Sequence, residues 1–449
     1  MIIKNAKIIT CDDPNQIIED GNIYVRDDTI QKITSESLTD AVQAGEEIVD
    51  AKGQLVMPGS ICAHTHFYGA YSRGMGIPGK PAADFPEILD KLWWKLDKAL
   101  DHKAVYYSAL VCMLDAIKHG TTTLIDHHAS PNAIDGSLDD IAQAALESGL
   151  RVSTCYEVTD RDGKERAKAG IAENMRFIKR YQAGDLPERI FPTFGLHASL
   201  TLDDDTLEEC ASQIPDGFGF HIHVAEHQVD EFDSLYRSGL RTIERLNAFH
   251  ILNPHSIIVH AVHIDASEMV LIKEKGSWVT HQPRSNMNNA VGLPQVESML
   301  NLGIPVCLGN DGFSNSMWDE WKAAYLAHKL WHKDPRRLGA DRIAAMAWHN
   351  NAAMLKKLSG AEVGAIKEGA KADLMFVDYE PFTTLTAGNL PWHLVFGFQN
   401  SMITTTIVDG KILMRDREIL SLDEEKIVHE ALALAPSVWE RYKIGRAHV

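Results

Sequence analysis

The chain has 449 residues, 45% of them hydrophobic and 24% charged, the balance of a globular protein long enough to hold more than one structural unit. Acidic residues outnumber basic ones 62 to 44, a formal net charge of −18 that argues against a nucleic-acid or anionic-membrane partner, since both demand a basic surface. No apolar stretch approaches the roughly 20 residues of a membrane span, the N-terminus lacks a leader-like plan, and six scattered cysteines without a Cys-x-x-Cys pair suit a reducing, cytoplasmic setting.

The first 57 residues alternate short β-type runs (2–10, 23–25, 29–33, 48–57) with turns. The same texture returns from about 363 to 414, where 364–369, 373–378 and 403–414 read as strands and hairpins. Neither end makes a good sheet alone. Residues 1–57 and 361–420 are therefore expected to form one small β-sandwich, with 421–449 adding a C-terminal helix and a tail whose last residues, 445–449, fit no element.

Between the two ends, 58–360, apolar runs alternate with helix-period segments such as 105–119, 138–148 and 171–180. The run ending at His64 is followed by 121–126, 151–157, 189–197, 219–226, 256–260, 277–281 and 305–311. Eight such units predict a (β/α)₈ TIM-like barrel, hence an α/β fold. A doubly wound sheet is the alternative, but no Gly-x-Gly-x-x-Gly follows the first strand.

In such a barrel, reactive groups sit at the C-terminal strand ends. The proposed ends carry His64 and His66, Asp126-His127-His128, Glu157, His197, His221/His223/Glu226, His260/His263, His281 and Asp311. Residues two apart on a strand share a side, so His64 and His66 can grip one cation. One histidine of the His221/His223 pair and Asp311 complete a set of three imidazoles and a carboxylate. That set suits one divalent metal ion, zinc first, with iron or manganese as alternatives, and leaves a position for water.

The ordered motifs are Pro58-Gly59 before His64-Thr-His66, Ser72-Arg73-Gly74, Gly120-Thr-Thr-Thr, Gly195-Leu-His197 and His223-Val-Ala-Glu226. Val259-His260-Ala-Val-His263, His281-Gln-Pro-Arg-Ser-Asn286 and Asp311-Gly312 follow. End to end, the chain resembles the amidohydrolase superfamily in its cytosine/guanine-deaminase and chlorohydrolase branch. Leu92-Trp-Trp-Lys-Leu-Asp97, 125–131 and 284–289 resemble its SsnA-type aminohydrolases.

The resemblance implies that the strand-five ligand is His223, three residues before a catalytic Glu226, and that His221 is a wall or packing residue. It implies that His260 contacts the reacting water or substrate. The family's bridging lysine on strand four has no counterpart, because no lysine lies between Lys179 and Lys273, so one metal is expected. Asp311 then takes the water's proton and Glu226 protonates a ring nitrogen before ammonia departs.

Arg73, His197 and Arg284 are candidates for binding substrate, guanidinium offering a planar fork of donors. His127 and His128 are expected to hydrogen-bond behind the ligands. Trp93 and Trp94 are read either as one in the core and one near the site mouth or as both purely structural. The implied activity is deamination of a small amino-substituted N-heterocycle, guanine-, pterin- or cytosine-like; the alternative is a cyclic amidase or triazine-type dechlorinase on the same site. A homodimer is what related enzymes suggest.

Overall fold

The computed structural model describes residues 1–36 and 46–444; the tail 445–449 lies outside them. Strands from both ends join one mixed sheet. Its hydrogen-bonded order runs Glu418–Ile419, Lys411–Arg415, Ile403–Val408, Leu374–Val377, Leu55–Pro58, Ile2–Ile9, Ile17–Arg26, Thr29–Thr34, with Ile48–Asp50 also pairing with Ile2–Ile9. The two ends meet where Leu374–Val377 runs antiparallel to Leu55–Pro58.

Alternation along these strands serves two cores at once. Val56, Leu374 and Phe376 enter a small core with Ile3, Ile8, Ile23 and Ile407. Their neighbours Leu55, Met57, Met375 and Val377 enter the main core beneath the helices. The expected strand at 364–369 does not form. Gly364 and Gly369 take φ of 82° and 87°, which break an extended run, and the segment docks through Ile366 N donating to Thr10 O and Gly369 N donating to Ile30 O.

Gly59 links this sheet directly to the first barrel strand. Eight parallel strands follow: Ser60–Thr65, Thr121–Asp126, Arg151–Thr154, a fourth in two pieces (Ile190–Pro192 and Phe194–Ala198), Phe220–Val224, Ile257–His260, Trp278–His281 and Val306–Leu308. The fourth strand breaks at Thr193, one piece pairing with strand three and the other with strand five. Strand three gives up its regular ladder at Thr154, and the chain beyond it bridges through Val158 to Leu196. At the other seam, Asn310 N and Asp311 N both donate to His64 O. Gly309 is required there, because a Cβ would lie 2.7 Å from His64 N. This contact brings Asp311 beside the strand-one histidines.

The helix His102–Lys118, capped by Asp101 accepting from Ala104 N, buries Val105, Ala109, Met113 and Ile117. The C-terminal helix Glu424–Ile444 packs on it and fixes the segment that walls the site, with Trp439 Nε1 donating to Tyr71 O and Tyr442 Oη to Lys91 O. Among the described residues no helix is long and apolar enough to cross a membrane.

Candidate metal centre and active site

The four expected metal ligands converge at the barrel mouth. His64 Nε2 lies 2.9 Å from Asp311 Oδ1, and His66 Nε2 lies 3.1 Å from both Asp311 Oδ1 and His223 Nε2. Ligand atoms of His64, His223, His260 and Asp311 all fall within 4.8 Å of one another. The far sides of the imidazoles are tied down. His66 Nδ1 donates to His127 O at 2.6 Å, His223 Nδ1 donates to His197 O at 2.8 Å, and His64 Nδ1 lies 2.8 Å from His221 Nε2. With Nδ1 occupied, Nε2 is the free ligand atom on each ring.

Burial holds His64 at about 3 and His223 well below the usual imidazole value, so both rings are neutral. Burial also opposes a charge on His66, but its hydrogen bond to Asp311 and that carboxylate's charge lift it to about 9. Burial would raise Asp311 too, yet His260 and the hydrogen bonds from His64 and His66 hold it well below the carboxylate range. The donor set of neutral ring nitrogens around an ionised carboxylate fits a zinc-like divalent cation, which would displace the proton on His66.

The acid–base groups stand over this floor. His260 Nε2 faces Glu226 Oε2 at 3.3 Å and Asp311 Oδ2 at 3.7 Å. Left-handed backbone at Ala225, His260 and Asp311 (φ 46°, 69° and 56°) turns the strand ends inward, strain of the kind that collects at functional sites. Ala225 is what lets Glu226 reach the cavity that His223 also lines.

The short helix Pro283–Asn288 and the residue after it hold all three groups in place. Ser285 Oγ donates to Asp311 Oδ2 at 2.5 Å, Asn286 Nδ2 lies 3.0 Å from His260 Nδ1, and Asn289 Nδ2 donates to Glu226 Oε1 at 3.2 Å. The sequence displayed these residues as a motif without revealing which partner each meets.

A cavity of about 560 Å³ opens above, lined by His66, Glu226, Asp311 and the aromatic pair Trp93 and Trp94 among others. Both tryptophans line it, where at most one was expected near the site. His197 is part of the wall, its Nδ1 2.7 Å from Thr201 Oγ1. Arg73 is exposed at the rim, and among the described residues no hydrogen bond or ion pair engages its guanidinium.

Arg284 is placed differently from its expected role. It does not line the cavity, and its guanidinium is taken up by Glu320 (2.5 Å), Ser314 and Ser316. Those partners consume its donors, so it braces the helix rather than a ligand.

Glu157, which the sequence flagged only as a strand end, is buried with Oε1 3.3 Å from both His66 Nδ1 and His127 Nδ1. Burial would raise its carboxyl, but His127, His197 and His66 hold it well below the usual value. His127 and His221 sit behind the ligands, His127 Nε2 donating to His221 O, while His128 turns away to Ser130.

The amidohydrolase-family model matches residues 55–413. A 5'-deoxyadenosine deaminase of Methanosarcina mazei is 33% identical over 448 residues, covering 98% of this chain and 99% of that protein. A 5-methylthioadenosine/S-adenosylhomocysteine deaminase of Pelotomaculum thermopropionicum is 31% identical over 441 residues, covering 96% and 97%. Among solved structures, an adenosine deaminase from Xanthomonas campestris with bound zinc superimposes with a TM-score of 0.83 at 21% identity, over 97% of this chain and 98% of that one. The chain belongs to the amidohydrolase family and is a hydrolase acting on carbon–nitrogen bonds.

Proposed function

We propose that this protein is a zinc-dependent hydrolytic deaminase of an amino-substituted N-heterocycle, and that the ring is an adenine-type base carrying a sugar altered at its 5' position. The observation that carries the reading is the placing of Glu226, His260 and Asp311 over three convergent imidazoles, with His66, His223, Glu226 and Asp311 lining one cavity. Full-length relatives deaminate adenine nucleosides. The cavity, about 560 Å³, has room for more than a free guanine-, pterin- or cytosine-like base.

Two carboxyls pushed in opposite directions define the acid and the base. Burial, then the charge of Asp311, raises Glu226 well above the usual value, so it is protonated at neutral pH. Asp311 is ionised. His64, His66, His223 and Asp311 would hold a divalent cation, which would lower the pKa of water from about 15.7 towards about 7 and so make a hydroxide-like nucleophile accessible at neutral pH.

Asp311 takes a proton from the attacking water, and His260 Nε2 hydrogen-bonds the incoming oxygen. As oxygen adds to the amino-bearing carbon, Glu226 gives its proton to the adjacent ring nitrogen, so no anion accumulates there. Asp311 then returns its proton to the exocyclic amine, the hydroxyl proton passes to Glu226 as the carbonyl forms, the carbon–nitrogen bond breaks, and ammonia leaves. The aromatic wall of Trp93 and Trp94 holds the flat ring, and Arg73 stands free at the rim for a polar tail.

The test is ammonia release from zinc-loaded protein. Adenosine, 5'-deoxyadenosine and thioether-extended analogues are compared with guanine, a pterin, cytosine and a chlorotriazine. Turnover of the adenosine set is expected; turnover confined to the free bases or the triazine overturns the nucleoside assignment.

A further inference from the structure

Between the 3₁₀ helix Phe67–Ser72 and the helix Phe85–Ile88, the chain leaves regular structure and runs along the cavity mouth. From Gly76 to Ala82 no backbone N–H finds a hydrogen-bond partner among the described residues. From Arg73 to Asp84 every residue is exposed except Met75 and Ala82, which are half-buried. Yet Arg73, Met75 and Ile77 all line the cavity, and Ile77 is 42% exposed there.

Both ends of this span are fixed. Before it, Trp439 Nε1 donates to Tyr71 O at 2.9 Å. After it, Asp84 accepts from Glu87 N at 3.0 Å, Phe85 and Leu89 pack with Val262 and Val291 beyond strands six and seven, and Tyr442 Oη donates to Lys91 O at 2.5 Å. Lys91 Nζ steadies the far half through Lys80 O and Pro81 O, at 3.4 and 3.5 Å. The near half, 73–79, carries glycine towards each end, Gly74 with φ 73° and Gly79 with φ 99°. A Cβ at either would meet nothing within 4 Å. No neighbour demands glycine there, so the backbone conformation does. A stretch pinned at both ends, with few buried contacts and unpaired amides between, opens and closes at low cost.

The reacting carbon has to reach Glu226 and Asp311 on the cavity floor, so the rest of a substrate points outward, towards this span. We propose that residues 73–79 are a strap that folds down over the outer end of a bound substrate, laying Met75 and Ile77 against it, and lifts again to release product. Closure buries the exposed Ile77 and brings the unengaged Arg73 to the substrate. The C-terminal helix Glu424–Ile444 is the frame that keeps both hinges in place while the strap moves. The inference rests on the proposed nucleoside reading for its choice of probe.

That probe is 5'-deoxyinosine, the deaminated product of 5'-deoxyadenosine, added to zinc-loaded protein. Calorimetry records whether it binds, and hydrogen–deuterium exchange follows the peptide covering 74–82. Saturating probe should slow exchange there at least about 10-fold, with the helix His102–Lys118 unaffected. Binding without slowing overturns the strap and leaves the nucleoside reading standing. Failure to bind overturns that reading, and the strap is then judged with the product of the base that is turned over, uracil for cytosine or xanthine for guanine. The double variant Met75→Ser, Ile77→Ser removes the apolar cover alone. It should raise KM about 10-fold with kcat and thermal midpoint little changed. An unchanged KM, or a loss that follows a fallen midpoint, would mean that these side chains never close on the substrate.

Discussion

Glu226→Gln separates the acid role of this residue from its place in the fold. Glu226 is 8% exposed, and its Oε1 accepts from Asn289 at 3.2 Å. Glutamine has the same size and keeps that acceptor, so the structural loss is at most one mismatched contact at His260, about 1 kcal/mol. It has no proton to give to a ring nitrogen. Losing a positioned proton donor costs about 10²- to 10⁴-fold in rate, or roughly 3–5 kcal/mol of barrier. The assay is steady-state ammonia release, with metal content and thermal midpoint measured in parallel. Because burial and the Asp311 charge raise Glu226, the wild-type rate should fall on the alkaline side as Glu226 loses its proton, and this limb should vanish in the variant. Turnover near the wild-type rate, or a loss explained by missing metal, would refute the assignment.

Arg284→Ala should damage stability rather than binding. It strands Glu320, which is fully buried and, even beside Arg284, is pushed up to about 7 by burial. About 3 kcal/mol lost in urea unfolding with KM unchanged is expected, and a selective rise in KM would restore its substrate role. Asp126 is buried, accepts from Phe67 N and Thr154 Oγ1, and is pushed up to about 7 by burial. A carboxyl raised on folding makes the folded state progressively less favoured as pH climbs from about 4 through 7, by about 4 kcal/mol in all. Asp126→Asn should remove that pH-dependent part, seen as a flatter unfolding midpoint against pH; an identical profile would show that Asp126 ionises freely. Arg151→Met should cost about 3–5 kcal/mol, since it leaves Asp373 and Asp409 without their shared buried cation between barrel and terminal sheet, and a neutral result by denaturant titration would contradict it.

The barrel rhythm and the ligand set were legible in the chain because both are local. Strand period put His64 and His66 on one side, and apolar runs marked the eight strands, although the regular ladders of strands three, five and eight stop short of the expected ends, at Thr154, Val224 and Leu308. The choice of His223 over His221, and of Glu226 with it, came from the family resemblance, and the left-handed Ala225 before Glu226 was not readable from the chain. What the sequence left open depends on partners far along the chain. Arg284 looked like a substrate anchor until Glu320, 36 residues on, was found holding it. Asn286 and Asn289 looked like motif polarity until they met His260 and Glu226. Glu157 gained its meaning only from three histidines on other strands. Residue types and spacing determine which side chains reach the barrel mouth. Which hydrogen bonds and charges they share once there is set by cross-strand distance and burial, and these exist only after the parallel strands have come together.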